Sequence, residues 1–243
     1  MLYEKKKKIY IIVIVLLSIL LVVVSLLFIL EKIRGPEIKY KNYQSDMIQV
    51  KGIDDVETMA SVVDDTVVLL LSSDLDNASE VTAVSTFNNN QGEQIASDEQ
   101  NGVISGKGKL LLIFNIPNIS EDDYAGTIDI QLSAEDAGYD GIADTSKITI
   151  EETHEIDEET NNVVVSAVGT NGNDYGIFGV ITDIVAIKDG KIVDYNSFYT
   201  DSVAPGGTFD STFQLAASVS SGQLVPLEFD ELDIFVSYAD MAE

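Results

Sequence analysis

Three aspartates between residues 136 and 144 have a spacing that could bind a metal ion. Asp136, Asp140 and Asp144 stand at positions 1, 5 and 9 of an EF-hand-like loop, with Gly141 at position 6. Calcium prefers clustered oxygen ligands on a flexible turn. Position 3 lacks an acid, however, and Lys147 replaces the bidentate glutamate of position 12. The spacing therefore predicts either a calcium site or an ordinary Asp-Gly turn between two domains.

Other side chains that could do chemistry are scarce. His154 is the only histidine, so a Ser-His-Asp triad would have to use it, yet acids flank it and no Gly-x-Ser-x-Gly sequence occurs. A solvated loop histidine is the better interpretation. The chain has no cysteine, which excludes disulfides, zinc thiolates and thiol nucleophiles. No cofactor is predicted apart from the calcium alternative.

The charge distribution excludes one class of partner. The chain has a formal net charge of −27, and after residue 41 only six Lys and Arg face 38 Asp and Glu. That part therefore has a net charge of −32. Such a surface repels phosphate backbones, so we expect no nucleic-acid binding. It is compatible with divalent cations, basic partners or high solubility.

An apolar run at residues 9–30 indicates how the chain is attached. Only Ser18 and Ser25 interrupt it, and residues 5–8 before it are all lysine. At about 1.5 Å per residue, a helix of this length spans about 33 Å and can cross a bilayer. The run exceeds the length of a signal-peptide core and no small-residue cleavage site follows, although a long cleaved signal is the alternative.

The basic residues on the two sides of this run favour one membrane orientation only weakly. Four more basic residues follow within residues 32–41, so the positive-inside count is tied. The contiguous lysines at residues 5–8 abut the lipid boundary and favour a cytoplasmic N-terminus. We therefore expect a single-pass cell-membrane protein with residues 1–8 in the cytoplasm, residues 9–30 in the lipid bilayer, a stem at residues 31–45 and the remainder outside the cell.

Strand patterns dominate the residues after the stem, 46–243, which we call the tethered part. Apolar and polar residues alternate around residues 128–132, 209–215 and 232–238, which predicts strands with one buried face. Residues 67–71 and 110–114 are continuous apolar runs that suit central strands. Asp189-Gly190 between apolar residues predicts a hairpin turn.

The tethered part also repeats itself at a period near 100 residues, the size of a β-sandwich. Residues 127–136 resemble residues 231–240, which makes Ile130 equivalent to Ile234. We therefore predict one sandwich at residues 46–146 and another at 147–243. The acidic stretch at residues 151–162 is either a linker or, as the repeat favours, a loop between strands.

One segment has a helical alternative. Ile53, Val56, Met59 and Val63 would share one face of a helix, behind the candidate caps Asp54 and Asp55. The spacing predicts a short helix before the first long strand, or else an irregular acidic lead-in.

Three stretches of the second copy match a known domain pattern, namely Asp189-Gly-Lys-Ile-Val193, Phe198-Tyr199 and residues 203–215. On these residues the second copy resembles the FxLYD-type domain of prokaryotic surface proteins. The sequence departs from the motif that gives the family its name, because residues 185–189 lack the aromatic residue of that motif. The resemblance implies an extracellular immunoglobulin-like sandwich and carries over no catalytic residue. The expected fold class is thus all-β, with a single transmembrane helix followed by two tandem immunoglobulin-like β-sandwiches.

Three functions fit these expectations. The first is a non-enzymatic, membrane-anchored protein that binds or spaces a protein partner at the cell surface, through sandwich ends or exposed strand edges. The second is an extracellular hydrolase that uses paired carboxylates, which would need a deep pocket with convergent acids. The third is an accessory subunit of a membrane complex.

Overall fold

The computed structural model of the chain describes residues 40–75, 77–120, 123–138, 141–220 and 222–242. The stretch Tyr40–Glu243 forms one compact unit. Its described residues are all-β, with fifteen strands and two short 3-10 turns at Ser45–Met47 and Thr145–Lys147. No helix in this described part is long and apolar enough to cross a membrane. The predicted transmembrane run at residues 9–30 lies outside the described residues.

The first seven strands form two sheets that pack face to face. Their bounds are β1 Ile48–Lys51, β2 Val56–Val63, β3 Thr66–Ser73, β4 Ser79–Asn89, β5 Gln94–Ile104, β6 Lys109–Asn115 and β7 Ala125–Asp136. Sheet 1 has the order β1-β7-β4-β5, with β1 parallel to β7, and sheet 2 has the order β2-β3-β6. Apolar side chains of both sheets, including Leu69, Phe87 and Ile130, form the first core.

The remaining strands form a second pair of sheets. Their bounds are β8 Ile148–Ile156, β9 Val163–Asn171, β10 Ile177–Lys188, β11 Lys191–Val203, β12 Thr208–Leu215, β13 Ser218–Ser220, β14 Gln223–Val225 and β15 Glu231–Met241. Sheet 3 has the order β11-β10-β15, sheet 4 the order β12-β9-β8, and β13 and β14 form a separate hairpin. Phe209 and Phe213 of β12 lie between sheets 3 and 4.

The two sandwiches have the same strand order. With β1 and the β13–β14 hairpin set aside, each contains six strands in sequence. The first, second and fifth form one sheet, and the third lies between the fourth and sixth in the other. Ile130 and Ile234 both lie on the sixth strand. Ile130 is fully buried, whereas Ile234 is half-buried against the core between sheets 3 and 4.

A further core lies between the two sandwiches, because sheet 2 packs against sheet 3. Val68 and Leu70 of β3 contact a cluster with Val185 and Ile187 of β10. On the opposite face of β3, Val67, Leu69 and Leu71 point into the first core. The continuous apolar run at residues 67–71 is therefore covered on both faces, as the sequence predicted for a central strand. The four sheets stack in the order 1, 2, 3, 4.

The predicted hairpin turn at Asp189-Gly190 is confirmed. Residues Lys188 and Lys191 pair across it, and β10 continues into β11. Asp189 and Gly190 both have positive φ, at 50° and 71°. Two successive left-handed residues give the turn whose twist matches the flanking strands, which is why Asp and Gly suit these positions.

Other expectations need correction. The predicted helix that includes Val56, Met59 and Val63 is wrong, because these residues lie on strand β2. Residues 151–156, expected in a linker or loop, belong to strand β8, and only residues 157–162 connect β8 to β9. The stem expected at residues 31–45 includes Tyr43, yet Tyr43 is 2% exposed and its ring lies edge-on to Phe87 at 5.5 Å. The folded part thus includes residues before the expected start at residue 46.

Candidate functional site

The candidate metal ligands line an open cleft beside the connection between the sandwiches. The cleft has a volume of about 700 Å³ and is open to solvent. Asp136, at the end of β7, and Asp144, before the 3-10 turn, both line it, together with Lys107 and Tyr175. The structure therefore brings two of the three predicted aspartates to one place. Asp140 lies outside the described residues.

Local hydrogen bonds already use both of these carboxylates. Oδ1 of Asp144 accepts hydrogen bonds from the backbone N–H of Ser146 at 3.1 Å and from its hydroxyl at 2.5 Å. Oδ2 of Asp144 lies 3.5 Å from Nζ of Lys147. Oδ1 of Asp136 accepts from the backbone N–H of Gly138 at 3.0 Å. Each aspartate stabilises its own turn, and Lys147 balances the charge of Asp144.

The cleft walls are held together by a buried hydroxyl pair. Oγ of Ser105, in the loop before β6, lies 2.5 Å from Oγ1 of Thr145. Both residues are buried. This contact joins the first sandwich to the 3-10 turn that begins the second, so the cleft has a fixed wall. In the part of the chain that the structure describes, no group of three or more His, Asp or Glu side chains is placed to hold a metal ion.

His154 lies on a strand and not in the predicted loop. It is part of β8, an edge strand of sheet 4, and its side chain is 46% exposed. Nδ1 of His154 lies 3.5 Å from a carboxylate oxygen of Glu152, and its ring lies 5.5 Å from that of Phe229. No serine hydroxyl is among its contacts in the described part of the structure. This surface setting provides no nucleophile for a triad.

A buried carboxyl that the sequence analysis missed lies in the middle of β10. Asp183 is 3% exposed. Burial raises the pKa of its carboxyl, and hydrogen bonds from Ser197 and Ser237 partly oppose that rise. The hydroxyl of Ser197 on β11 donates to Oδ1 of Asp183. The sequence signal was an acid within the apolar stretch at residues 180–187, where a strand residue is expected to be buried.

A second carboxyl with a raised pKa borders another open cleft. Burial raises the pKa of Asp194, hydrogen bonds from the backbone N–H groups of Ala216 and Tyr195 lower it, and the charge of Asp64 raises it further. Asp64, Asp65 and Asp194 line this cleft between the β2–β3 turn and β11. Its described lining residues include no lysine or arginine. The carboxyl of Asp194 ties the start of β11 to the end of β12, which is a structural role.

The chain was compared with protein families, curated proteins and solved structures. No family model matches it, and no curated protein matches it. Among solved structures, it is similar to red sea bream transglutaminase, with 7% sequence identity and a TM-score of 0.24. That similarity covers 78% of this chain and 30% of the enzyme. A TM-score of this size supports no conclusion about fold, activity or substrate.

Proposed function

We propose that this chain is a non-enzymatic, membrane-anchored protein whose double sandwich binds or spaces a protein partner outside the cell. The apolar run at residues 9–30 and the lysines at residues 5–8 support the anchor and a cytoplasmic N-terminus. The strong acidity after residue 41 supports a folded part that stands off anionic lipid head groups. We further propose that both sandwiches are immunoglobulin-like and that the second is related to FxLYD-type domains.

The observation that carries this proposal is the core between the sandwiches. Val68 and Leu70 of sheet 2 are almost fully buried by residues of sheet 3 such as Val185 and Ile187. Tandem domains joined only by a linker move relative to each other, whereas a large apolar interface suppresses such motion. A fused pair keeps its two sandwiches in one mutual orientation and so presents a single rigid binding surface, which is what a binding or spacer protein needs.

The open shape of the clefts in the described surface also favours binding over catalysis. The cleft that Asp136 and Asp144 line is open and mostly polar, and both of these aspartates are held in local turns. A carboxylate-dependent hydrolase would need an enclosed pocket in which two acids converge. Asp183 has the raised pKa expected of an acid catalyst, but its oxygen accepts from Ser197 within the stacked sheets.

Protease treatment of intact cells tests the topology. The full-length chain is expressed with an epitope tag before Met1 and another after Glu243. We expect added protease to remove the C-terminal tag from intact cells while the N-terminal tag survives until the cells are opened. Survival of the C-terminal tag in intact cells, with digestion only after opening, would overturn the proposed location. A C-terminal tag released into the medium without protease would indicate a cleaved signal.

A further inference from the structure

The outer face of sheet 3 is only half covered by the first sandwich. Strands β10, β11 and β15 contain 12, 13 and 11 residues, whereas β2, β3 and β6 of sheet 2 contain 8, 8 and 7. Sheet 2 covers the end of sheet 3 near the Asp189-Gly190 turn, where Ile187, Ile192 and Phe235 are buried. The opposite end of the same face extends past this contact.

The uncovered end carries aromatic and apolar side chains. Ile181 on β10 pairs with Tyr199 on β11 and with Tyr238 on β15, so the three form a row across the sheet. Tyr199 is 61% exposed, Phe178 on β10 is 42% exposed and Ile181 is 37% exposed. We call these four residues, Phe178, Ile181, Tyr199 and Tyr238, the overhang. It continues the sheet face whose other half is buried against sheet 2.

The charged residues of the described strand segments around the overhang have one sign. Asp201 on β11 and Asp240 on β15 flank it, and Tyr238 donates a hydrogen bond from its hydroxyl to Oδ1 of Asp240 at 2.6 Å. The strand segments that form this end, residues 177–183, 196–203 and 236–241, contain no lysine or arginine. The basic residues of sheet 3 are Lys188 and Lys191, beside the turn at the other end.

We propose that the overhang is a docking surface for a segment of a partner protein that combines apolar side chains with lysine or arginine. The apolar part would cover Ile181 and Phe178, as sheet 2 covers Val185 and Ile187 on the same face. The cations would lie over the exposed Tyr199 ring and beside the flanking carboxylates, which attract them. This inference deepens the proposed function by naming the partner's chemistry, and only the partner's location outside the cell rests on that function.

A second copy of this chain is a poor occupant. Two copies would each bring a formal net charge of −27, and a symmetric interface on this surface would bring Asp201 and Asp240 of one copy close to the same two acids of the other. Like charges placed opposite each other suppress association. A basic partner removes this repulsion.

Binding of a peptide of defined chemistry tests the surface. The probe is a short fluorescein-labelled peptide of alternating lysine and leucine, titrated with the full-length chain in a nonionic detergent, with detergent alone as the blank. We expect saturable binding that Tyr199→Ser weakens by about tenfold or more, as loss of a central aromatic contact does. Asp201→Asn should weaken binding less and reduce its dependence on NaCl.

Matched variants distinguish peptide binding at the overhang from attraction of the peptide to the acidic surface as a whole. Val219→Ser removes a side chain that is 73% exposed on β13, and Asp210→Asn removes an exposed acid on β12; neither should change binding. Equal weakening by Tyr199→Ser and Val219→Ser would overturn the proposal. Equal binding of an alternating lysine–serine peptide would show that charge alone attracts the probe, and would also overturn it. So would a dimer of the full-length chain that Tyr199→Ser dissociates.

Discussion

Nζ of Lys109 on β6 lies 2.8 Å and 2.6 Å from the two carboxylate oxygens of Asp233 on β15, and this ion pair joins the two sandwiches. The same Nζ lies 5.7 Å from the centre of the Phe235 ring. The Asp233 side chain is largely buried and that of Lys109 is partly exposed. The pair therefore borders the apolar core between sheets 2 and 3 and holds one end of β15 on the first sandwich.

Removal of this lysine should weaken the whole unit. Lys109→Met leaves the largely buried carboxylate of Asp233 without its cation, and we expect the free energy of unfolding to fall by about 1–2 kcal/mol, a value reduced for the solvent that reaches Lys109. Urea denaturation followed by circular dichroism measures this change. Lys147→Met is the control, because its pair with Asp144 is exposed and should contribute less than about 0.5 kcal/mol. Equal losses for the two variants would contradict a special role for Lys109.

The core between the sandwiches should make them unfold together. Leu70→Ala removes a side chain that sheet 3 buries, and we expect a loss of about 2–5 kcal/mol together with a single transition. Tyrosine fluorescence and circular dichroism should report the same midpoint. Leu224→Ala, at an exposed position on β14, should change stability by less than about 0.5 kcal/mol. Two separate transitions in the unmodified chain would show that the sandwiches are independent.

The buried carboxyl of Asp183 should make stability depend on pH. Burial raises its pKa, so the folded state favours the protonated form. Below the unfolded pKa of about 3.9 the carboxyl is protonated in both states and costs nothing. As the pH rises through the folded pKa, the buried group becomes charged and stability is lost.

Asp183→Asn should therefore melt higher than the unmodified chain at neutral pH, by at least about 2 °C. The difference should shrink as the pH falls toward about 3, because the carboxyl then becomes protonated in the unfolded state as well as in the folded state. Thermal melts of both chains across this pH range give the measurement, with Asp210→Asn as an exposed control. A variant that melts lower at every pH would show that the hydrogen bond from Ser197 to the charged carboxylate outweighs the cost of burial.

The strands that cover a single core were predictable from the sequence. In β12, every second residue from Phe209 to Leu215 is buried and the others are exposed, so the period of two matches the structure. The turn at Asp189-Gly190 was predictable for a local reason, since its residue types suit left-handed backbone. Such features depend on neighbours in sequence or on one packed face.

The strands and surfaces that depend on both sandwiches were not predictable. On β2, Ala60 and Val62 pack against the first core while Met59 and Val63 pack against the core between sandwiches. Apolar residues on both faces hide the alternation, so the spacing fitted a helix instead. The overhang could not be predicted for a similar reason. The length of sheet 2 decides which residues of sheet 3 remain exposed, and the sequence of sheet 3 does not contain that length.

The acidity of the chain leads to the last prediction, which concerns salt and calcium. A net charge of −27 destabilises the compact state by self-repulsion, and salt screens such repulsion beyond about 10 Å at 0.1 M. The full-length chain should therefore melt higher as NaCl rises from low to moderate concentration.

Since Ser146 and Lys147 already use both carboxylate oxygens of Asp144, we expect calcium and magnesium at matched ionic strength to give equal shifts of the melting temperature. If Asp136, Asp140 and Asp144 do form a calcium site, calcium should stabilise beyond magnesium and Asp140→Asn should abolish the difference. Asp210→Asn is the matched control, because it removes one exposed charge that is not part of the cleft lining to which Asp136 and Asp144 belong. A calcium-specific shift that Asp140→Asn removes and Asp210→Asn leaves intact would make cation binding part of the function.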